Sequence, residues 1–315
     1  TNSKTKEINW IPVTFTTGQN WAWVETVGGT YRPANKDAIL LNTADANFNG
    51  NGEVTIGLPD GMAGGLEGTL DLYFTEDIVI KDATIVAVND AQGRNGTYAS
   101  GQLGLAPAGG SNIINSLYDS GVITQRAFTL YYGEKADITI GEISHEHVAS
   151  GSSFSFVDLV ASGDEPGPFT FEVDSWTVDG ESQSNFHAYL NTGYDQFLLS
   201  YDMAEKLFKN AFKECTFLEG QYLCYHDKDF PDMEFTIGGQ KFTLKPEDYV
   251  YFDEGLYIPN LSIADTKTVY FGNTFLKKLV AAVDFDNDKI GFANAAESSS
   301  VEAPVDFLPT ADINQ

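Results

Sequence analysis

The chain has 315 residues, with 18 Lys and Arg against 45 Asp and Glu, which gives a formal net charge of −27. This charge excludes nucleic acid as a partner, because phosphate binding requires a basic surface. Hydrophobic residues make up 42% of the chain, so it can bury a sizeable core and is not globally disordered. The acidic residues are spread along the whole chain, which favours a solvated surface suited to acidic surroundings.

Short β-type runs separated by turn residues predict a mainly β protein. In chain order these runs cover residues 13–15, 78–80, 84–88, 128–132, 136–140, 169–173, 235–237 and 256–258. Gly, Asn or Asp residues separate many of the runs, as tight turns require. Apolar spacing predicts only two helices, over residues 112–120 and 200–215, and Ser200 or Asp202 would cap the second.

The composition changes to Ser, Gly, Asp, Glu and Pro between residues 150 and 168, which predicts a crossing between two halves. We therefore expect an N-terminal β lobe over residues 1–165 and a C-terminal β lobe over residues 166–293. Residues 294–315 show little periodicity and are expected to form a C-terminal tail.

The two halves repeat one pattern. Residues 13–18 read Val-Thr-Phe-Thr-Thr-Gly, and residues 188–193 read Ala-Tyr-Leu-Asn-Thr-Gly. In each half a short hydrophobic element with Gly follows later, at residues 102–106 and 270–273. Two similar lobes that face each other would place the two Thr-Gly turns together at their interface.

Two signals concern the compartment of the protein. Cys215 and Cys224 enclose eight residues, a separation that could bridge a hairpin, and Asn95 and Asn260 each begin a glycosylation sequon. Together they favour a secreted or lumenal glycoprotein. No apolar run approaches the roughly 20 residues of a bilayer span, so no transmembrane segment is expected. No signal peptide opens the chain, which suits a mature form.

The turn sequences and their neighbours resemble those of the pepsin-like aspartic proteases, in which each lobe carries an Asp-Thr-Gly-Ser/Thr loop. Here residues 15–20 read Phe-Thr-Thr-Gly-Gln-Asn, and residues 190–195 read Leu-Asn-Thr-Gly-Tyr-Asp. Residues 21–24, Trp-Ala-Trp-Val, are similar to the family's Asn-Leu-Trp-Val. Residues 101–106, Gly-Gln-Leu-Gly-Leu-Ala, are similar to its Gly-Ile-Leu-Gly-Leu-Gly.

The C-terminal part carries the strongest resemblance. Residues 271–276, Phe-Gly-Asn-Thr-Phe-Leu, and 283–293, Val-Asp-Phe-Asp-Asn-Asp-Lys-Ile-Gly-Phe-Ala, resemble the family's Leu-Gly-Asp-x-Phe-Leu and Phe-Asp-x-x-x-x-x-Ile-Gly-Phe-Ala. The resemblance covers residues 10–293. It implies a bilobal, mostly β pepsin-like fold, with two related β lobes, a few short helices and an interlobe cleft.

The catalytic positions depart from the family pattern. Aspartic proteases use two carboxylates that share one proton across a bound water. The resemblance places Thr16 and Asn191 at those two positions, and neither side chain can serve as a general base. The chain is therefore expected to be a catalytically degenerate member, without proteolytic activity.

Other family features are retained or altered around these positions. Thr17, Gly18, Thr192 and Gly193 match the residues that build the cleft floor. The resemblance places the tip of the flap at residues 58–61, Leu58, Pro59, Asp60 and Gly61, with Leu58 where the family has tyrosine. The family also carries a disulfide in its C-terminal lobe, and we expect Cys215 to pair with Cys224.

Four other segments resemble catalytic or metal-binding motifs, but each has a simpler structural explanation. Residues 119–121, Asp-Ser-Gly, are expected to form a helix C-terminal turn, and residues 284–288 a hairpin turn instead of a calcium loop. Asp195 is expected to support its loop, not to act as a displaced acid. His145 and His147 lack a third ligand nearby in sequence, so no metal and no cofactor are expected.

The sequence thus predicts a secreted or lumenal (vacuolar) pseudoprotease that binds a peptide or protein ligand, cationic ligands included, in or near the cleft. A monomer is expected. Two alternatives remain open: an aspartic endopeptidase inactivated by substitution of its catalytic aspartates, or a cell-surface or structural protein that does not use the cleft.

Overall fold

The computed structural model describes residues 13–17, 21–26, 41–43, 48–58, 61–75, 77–92, 101–106, 113–133, 136–160, 167–225, 229–267 and 269–296. Within these residues the chain forms 22 strands and four short helices, so the predicted mostly β class is confirmed.

The N-terminal part contains β1 (Thr14–Thr16), β2 (Ala22–Glu25), β3 (Asn49–Leu58), β4 (Gly61–Tyr73), β5 (Val79–Gln92), β6 (Gly101–Gly104), α1 (Ile113–Asp119), β7 (Ala127–Tyr131), β8 (Asp137–Ile140) and β9 (Ser155–Asp158). The C-terminal part contains β10 (Thr170–Val178), β11 (Glu181–Leu190), β12 (Phe197–Ser200), α2 (Tyr201–Phe208), β13 (Thr216–Leu218), β14 (Gln221–Leu223), β15 (Met233–Ile237), β16 (Gln240–Leu244), α3 (Pro246–Tyr249), β17 (Val250–Asp253), β18 (Leu256–Pro259), β19 (Leu261–Ala264), β20 (Val269–Phe271), α4 (Asn273–Leu276), β21 (Leu279–Asp284) and β22 (Lys289–Asn294).

A six-stranded sheet in the order β1-β6-β2-β5-β4-β3 forms the N-terminal lobe. Strand β2 is buried on both faces, because its apolar residues alternate between two small cores. Trp23 packs with Ile56 and Val86 on one face, whereas Val24 packs with Ile85 on the other. Trp23 is fully buried.

A seven-stranded sheet in the order β16-β15-β10-β11-β20-β12-β19 forms the C-terminal lobe. Its inner face carries aromatic residues from four strands. The Trp176 ring lies 4.8 Å from Phe235 and 5.1 Å from Phe197, and Phe197 lies 5.3 Å from Phe271. Such tilted and edge-on ring pairs bury large apolar areas and hold the sheet to the helices beneath it.

A five-stranded sheet joins the two lobes. Its order is β8-β7-β21-β22-β9, so strands of the N-terminal part flank the hairpin of β21 and β22 on both sides. All six residues of β21 are buried, as expected for a near-continuous apolar run between neighbouring strands. The bilobal arrangement therefore rests on a sheet to which both parts contribute.

The two predicted helices agree with the sequence in position but not always in length, and the short helices α3 and α4 were not predicted. Helix α1 lies within the predicted range of 112–120, and the Ser200 side chain caps α2 by accepting a hydrogen bond from the Met203 amide at 3.2 Å. The prediction that the second helix extends to residue 215 was wrong, because α2 ends at Phe208. Residues 209–214 form turns that carry Ala211 and Phe212 into the core and lead to Cys215.

The lobe boundaries at residues 165 and 166 stay a prediction. Strand β22 includes Asn294, and Ala295 still pairs with Val148, so the chain remains part of the fold at the start of the predicted tail. Residues 297–315 lie outside the described part of the chain.

Candidate functional site

The first Thr-Gly turn begins at the end of β1. This strand runs parallel to β6, with Thr16 opposite Gly104, and the Leu105 amide donates to the Thr16 carbonyl oxygen at 2.9 Å. Thr16 and Thr17 are both buried. The turn is therefore held by its neighbouring strand, while Gly18 lies outside the described residues.

The second turn begins at the end of β11 and repeats this arrangement. Strand β11 runs parallel to β20, with Leu190 opposite Phe271, and the Asn191 amide donates to the Phe271 carbonyl oxygen at 2.9 Å. Asn191 is buried, and its Oδ1 accepts a hydrogen bond from the Gly193 amide at 2.9 Å. The Asn191 side chain thus turns back onto its own loop.

The two turns bind each other through their threonines. The Thr17 amide donates to Thr192 Oγ1 at 3.0 Å, and the Thr192 amide donates to Thr17 Oγ1 at 3.0 Å. The Thr17 hydroxyl also donates to the Leu190 carbonyl oxygen at 2.8 Å. These bonds join residues 173 to 175 positions apart, and they bring the two turns together as the internal repeat predicts.

Tyr189 adds a contact between the lobes that the sequence analysis did not single out. Its hydroxyl donates to the Thr17 carbonyl oxygen at 2.8 Å, and its ring packs edge-on against Tyr270 at 5.5 Å. Burial raises the pKa of the Tyr189 phenol, so it stays a neutral donor at every physiological pH. A tyrosine between the apolar residues Ala188 and Leu190 was the available signal, because a buried hydroxyl needs a partner.

A layer beneath the second turn fixes its backbone. Asn273 Nδ2 donates to Asp195 Oδ1 at 2.8 Å, and the Thr274 amide donates to the Asp195 carbonyl oxygen at 2.9 Å. A Cβ atom on Gly272 would lie 2.4 Å from the Gln196 carbonyl oxygen, so only glycine allows this close approach. Asp195 contacts the supporting residues of the loop, which agrees with the supporting role expected for it.

A cavity of about 670 Å³ lies beside this loop. Its lining includes Gly193, Tyr194, Asp195, Tyr132 and Lys277. Burial, together with the negative charge of Asp195, raises the pKa of Tyr132, so its hydroxyl remains a neutral donor and acceptor. The cavity therefore offers aromatic surface, a carboxylate and an ammonium group next to the second turn.

Strands β3 and β4 form the hairpin in which the flap tip was predicted. Leu58 pairs with Gly61, so the connection consists of Pro59 and Asp60, which lie outside the described residues. The register thus agrees with a hairpin tip at residues 58–61. Its role as a flap stays a prediction.

The predicted covalent features have different outcomes. The disulfide between Cys215 and Cys224 is confirmed, and it closes the hairpin of β13 and β14. Asn95 lies outside the described residues. Asn260 is half-buried, and its Nδ2 donates to the Asp195 carbonyl oxygen and to Thr274 Oγ1. Glycosylation there stays a prediction, and a glycan would leave one N–H for these two acceptors.

Two rival motifs have the structures expected of simple turns. Gly121 ends α1 with a φ of 72°, and its amide donates to the Tyr118 carbonyl oxygen at 2.9 Å. The Asp284 carboxylate accepts from the amides of Asp286 and Asn287 at 3.0 and 3.2 Å, which closes the hairpin of β21 and β22. None of the helices among the described residues is long and apolar enough to span a membrane.

Two β lobes that meet through a pair of Thr-Gly turns define the architecture of the pepsin-like aspartic proteases. The family model for eukaryotic aspartyl protease matches residues 8–295, and the chain therefore belongs to this family.

Three curated relatives show that the sequence similarity within the family is low. The chain is 24% identical to gastricsin from Callithrix jacchus over 90% of its own length and 78% of the relative. It is 24% identical to pepsin A from Sus scrofa over 62% of the chain and 54% of the relative. The chain is 26% identical to vacuolar protease A from Aspergillus fumigatus over 57% of the chain and 47% of the relative.

Proposed function

We propose that this chain is a non-catalytic member of the aspartyl protease family, a pseudoprotease, which binds a peptide or protein in or near its interlobe cleft. One observation carries the proposal. Thr16 and Asn191 directly precede the two threonines that hydrogen-bond to each other across the lobes. In the family pattern these are the positions of the two catalytic aspartates.

The chemistry of these two side chains supports the absence of hydrolysis. A threonine hydroxyl and an asparagine amide do not accept a proton between acidic and neutral pH, so neither activates a water molecule. The Asn191 Oδ1 atom already accepts a hydrogen bond from Gly193. A neutral side chain thus accepts this hydrogen bond within the second turn.

The rigid floor supports binding. The bonds between Thr17 and Thr192, with the contact from Tyr189, fix the lobes relative to each other without any ligand. A preformed groove binds an extended chain at a low cost in conformational entropy. The net charge of −27 favours cationic peptides over acidic ones.

The proposed location is outside the cell or in a lumenal or vacuolar compartment. The disulfide between Cys215 and Cys224 supports an oxidising environment. A relative is a vacuolar protease by name. Burial raises the pKa of Asp248, which favours folding at acidic pH and suits such a compartment.

An assay of proteolysis tests the first part of the proposal. An unstructured protein substrate is incubated with the chain from pH 2 to pH 7, and cleavage is followed by mass spectrometry. We expect no cleavage above the level of an Asp195→Ala variant, which removes the exposed carboxylate that follows the second turn. Pepstatin-sensitive cleavage by the unaltered chain would contradict the proposal.

Restoring the two aspartates distinguishes a remodelled cleft from an endopeptidase that lost its activity by substitution of the aspartates alone. The double variant Thr16→Asp with Asn191→Asp supplies both carboxylates on the existing floor, and Asn191→Asp alone is its matched control. If the cleft has been remodelled, the double variant stays inactive. Recovery of activity in the double variant alone supports the alternative of an endopeptidase inactivated by substitution.

A binding assay tests the use of the cleft against the alternative of a structural or surface protein. Gly193 is exposed in the second turn, so Gly193→Trp places a large ring beside the floor. Ser184→Trp, at an exposed position of β11, the strand that leads into this turn, is the control. Binding of a random peptide library that is lost in Gly193→Trp and kept in Ser184→Trp supports the proposal, and equal binding by both contradicts it.

A further inference from the structure

Three potential metal ligands converge on the surface of the sheet that joins the lobes. They are the Asp137 and Glu146 carboxylates and the His147 imidazole, whose ligand atoms all lie within 4.8 Å of one another. His147 Nε2 lies 3.1 Å from Asp137 Oδ2. All three side chains reach solvent, with 30% of His147 and 47% of Asp137 exposed. An ion can therefore enter without opening the fold.

Asp137 and His147 both lie next to Tyr131. Asp137 begins β8 directly opposite Tyr131 of β7, so the two side chains share one face of the sheet. The His147 ring stacks on the Tyr131 ring at 4.0 Å and 10° between planes. This stacking fixes the imidazole with Nε2 towards the Asp137 carboxylate.

The loop that carries Glu146 and His147 is anchored at both ends. The Ala296 amide donates to the His147 carbonyl oxygen, and the Ala149 amide donates to the Asn294 carbonyl oxygen, each at 2.8 Å. The Ser144 amide donates to Thr129 Oγ1 of β7 at 2.9 Å. The site therefore consists of side chains on a braced backbone, which lowers the entropy cost of binding an ion.

We propose that Asp137, Glu146 and His147 bind a zinc ion. Zinc accepts imidazole nitrogen at about 2.0–2.1 Å and carboxylate oxygen at about 2.0–2.2 Å, in tetrahedral geometry. Two ligand atoms on such an ion lie roughly 3.3 Å apart, close to the separation between His147 and Asp137. Calcium and magnesium prefer sites made of oxygen alone, so the imidazole selects against them.

In the free site His147 Nε2 and Asp137 Oδ2 lie 3.1 Å apart, and a bound ion would take the place of this direct contact. Two carboxylates neutralise the charge of Zn²⁺, and a water molecule completes the fourth position. The ion would link β8 to the loop of residues 144–149, and through that loop to residues 294–296.

Equilibrium dialysis with Zn²⁺ at neutral pH, after treatment with a chelator, tests the proposal on the full chain. We expect one ion per chain, and Co²⁺ in its place should give the visible absorption of a tetrahedral site. At hundredfold excess over the dissociation constant, Zn²⁺ should raise the unfolding temperature on the order of 3–5 °C.

Matched variants decide which residues bind. His147→Ala and Asp137→Asn should each weaken binding by about tenfold or more. His145→Ala is the control, because His145 packs against Phe154 instead of joining the cluster. Asp137→Asn keeps the shape of the side chain, so it guards against misfolding of the first variant. Absence of stoichiometric binding, or equal loss in His145→Ala, would overturn the proposal.

Discussion

The two lobes differ in how they bury apolar surface. In the C-terminal lobe the aromatic residues of the seven-stranded sheet join one large core, which continues into the shared sheet through Val283 and Phe292. Among the described residues of the N-terminal sheet, Trp23 and Val24 belong to two small, separate clusters on opposite faces. Within the described part of the chain, the C-terminal lobe therefore has the larger hydrophobic stabilisation, and the N-terminal sheet depends more on its contacts with the other lobe.

Glycine explains part of this difference. Strand β4 contains Gly64, Gly65 and Gly68 within a short stretch, and glycine offers no side chain for packing. A Cβ atom on Gly65 would lie 2.4 Å from the Ala87 carbonyl oxygen, so the close approach of β4 to β5 requires glycine there. The N-terminal sheet thus gains close strand contacts at the expense of core volume.

The largest effect should follow from truncation of an aromatic residue in the C-terminal core. Phe271 is fully buried and lies 4.5 Å from the Phe275 ring and 5.3 Å from Phe235. Phe271→Ala should lower the free energy of unfolding by about 3–5 kcal/mol. Phe252→Ala, at a residue that is 63% exposed, should change it by no more than about 0.5 kcal/mol. Denaturation in urea measures both, and equal values would refute the contrast between core and surface.

The next largest decrease in stability should follow from loss of the disulfide. Replacement of Cys215 and Cys224 by serine opens a loop with a separation of nine residues. The unfolded state gains entropy, so stability should fall by about 2–3 kcal/mol. Thermal unfolding with and without a reductant measures this effect on one protein. A reductant that lowers the stability of the serine variant as well would show that the loss does not come from the disulfide.

The bond between the lobes should give a smaller effect of a different kind. Thr17→Val removes the hydroxyl that donates to Leu190 and accepts from Thr192, at a cost of about 1–3 kcal/mol. Because this link couples the weaker sheet to the stronger lobe, the N-terminal sheet should then unfold first. Hydrogen exchange should show faster exchange in β2 and β5, with β10 and β15 unchanged. Uniform faster exchange in both lobes would contradict the comparison.

The sequence predicts the fold well where a pattern acts locally or repeats. The two Thr-Gly turns were found because strand, turn and later glycine element recur in both halves. The disulfide was found because its cysteines are close in sequence. Such features depend on residues that are neighbours along the chain, and their physical causes are visible in one segment.

Contacts between distant segments could not be predicted in this way. The bond from Tyr189 to the Thr17 carbonyl oxygen joins residues 172 positions apart, and nothing in either segment specifies the other. His147 lacked a third ligand in its own segment, and Asp137 becomes its neighbour only through the pairing of β7 with β8. Helix α2 ends earlier than its periodicity predicts, and Phe212 reaches the core from a turn instead of from the helix.

The smallest effect concerns pH, and it compares two acids with opposite shifts. Burial raises the pKa of Asp248, although its hydrogen bond from the Lys245 amide and the nearby Lys278 act against this rise. Arg126 lowers the pKa of the exposed Asp286 by hydrogen bonds from its amide and its guanidinium group. Asp248 therefore stabilises the fold at pH values below the pKa that it has in the unfolded chain, and this stabilisation is lost as the pH rises. Asp286 stabilises the fold at higher pH, and its contribution is lost as the pH falls.

Two substitutions separate these contributions. Asp248→Asn should improve stability relative to the unaltered chain more at pH 7 than at pH 3, because the variant no longer buries a charge. Asp286→Asn should be destabilising at pH 7 and nearly neutral at pH 3, and the effect should be small because the pair is exposed. Urea denaturation at both pH values measures the two differences. If both variants shift in the same direction with pH, the total acidity of the chain, and not these two sites, determines the pH dependence.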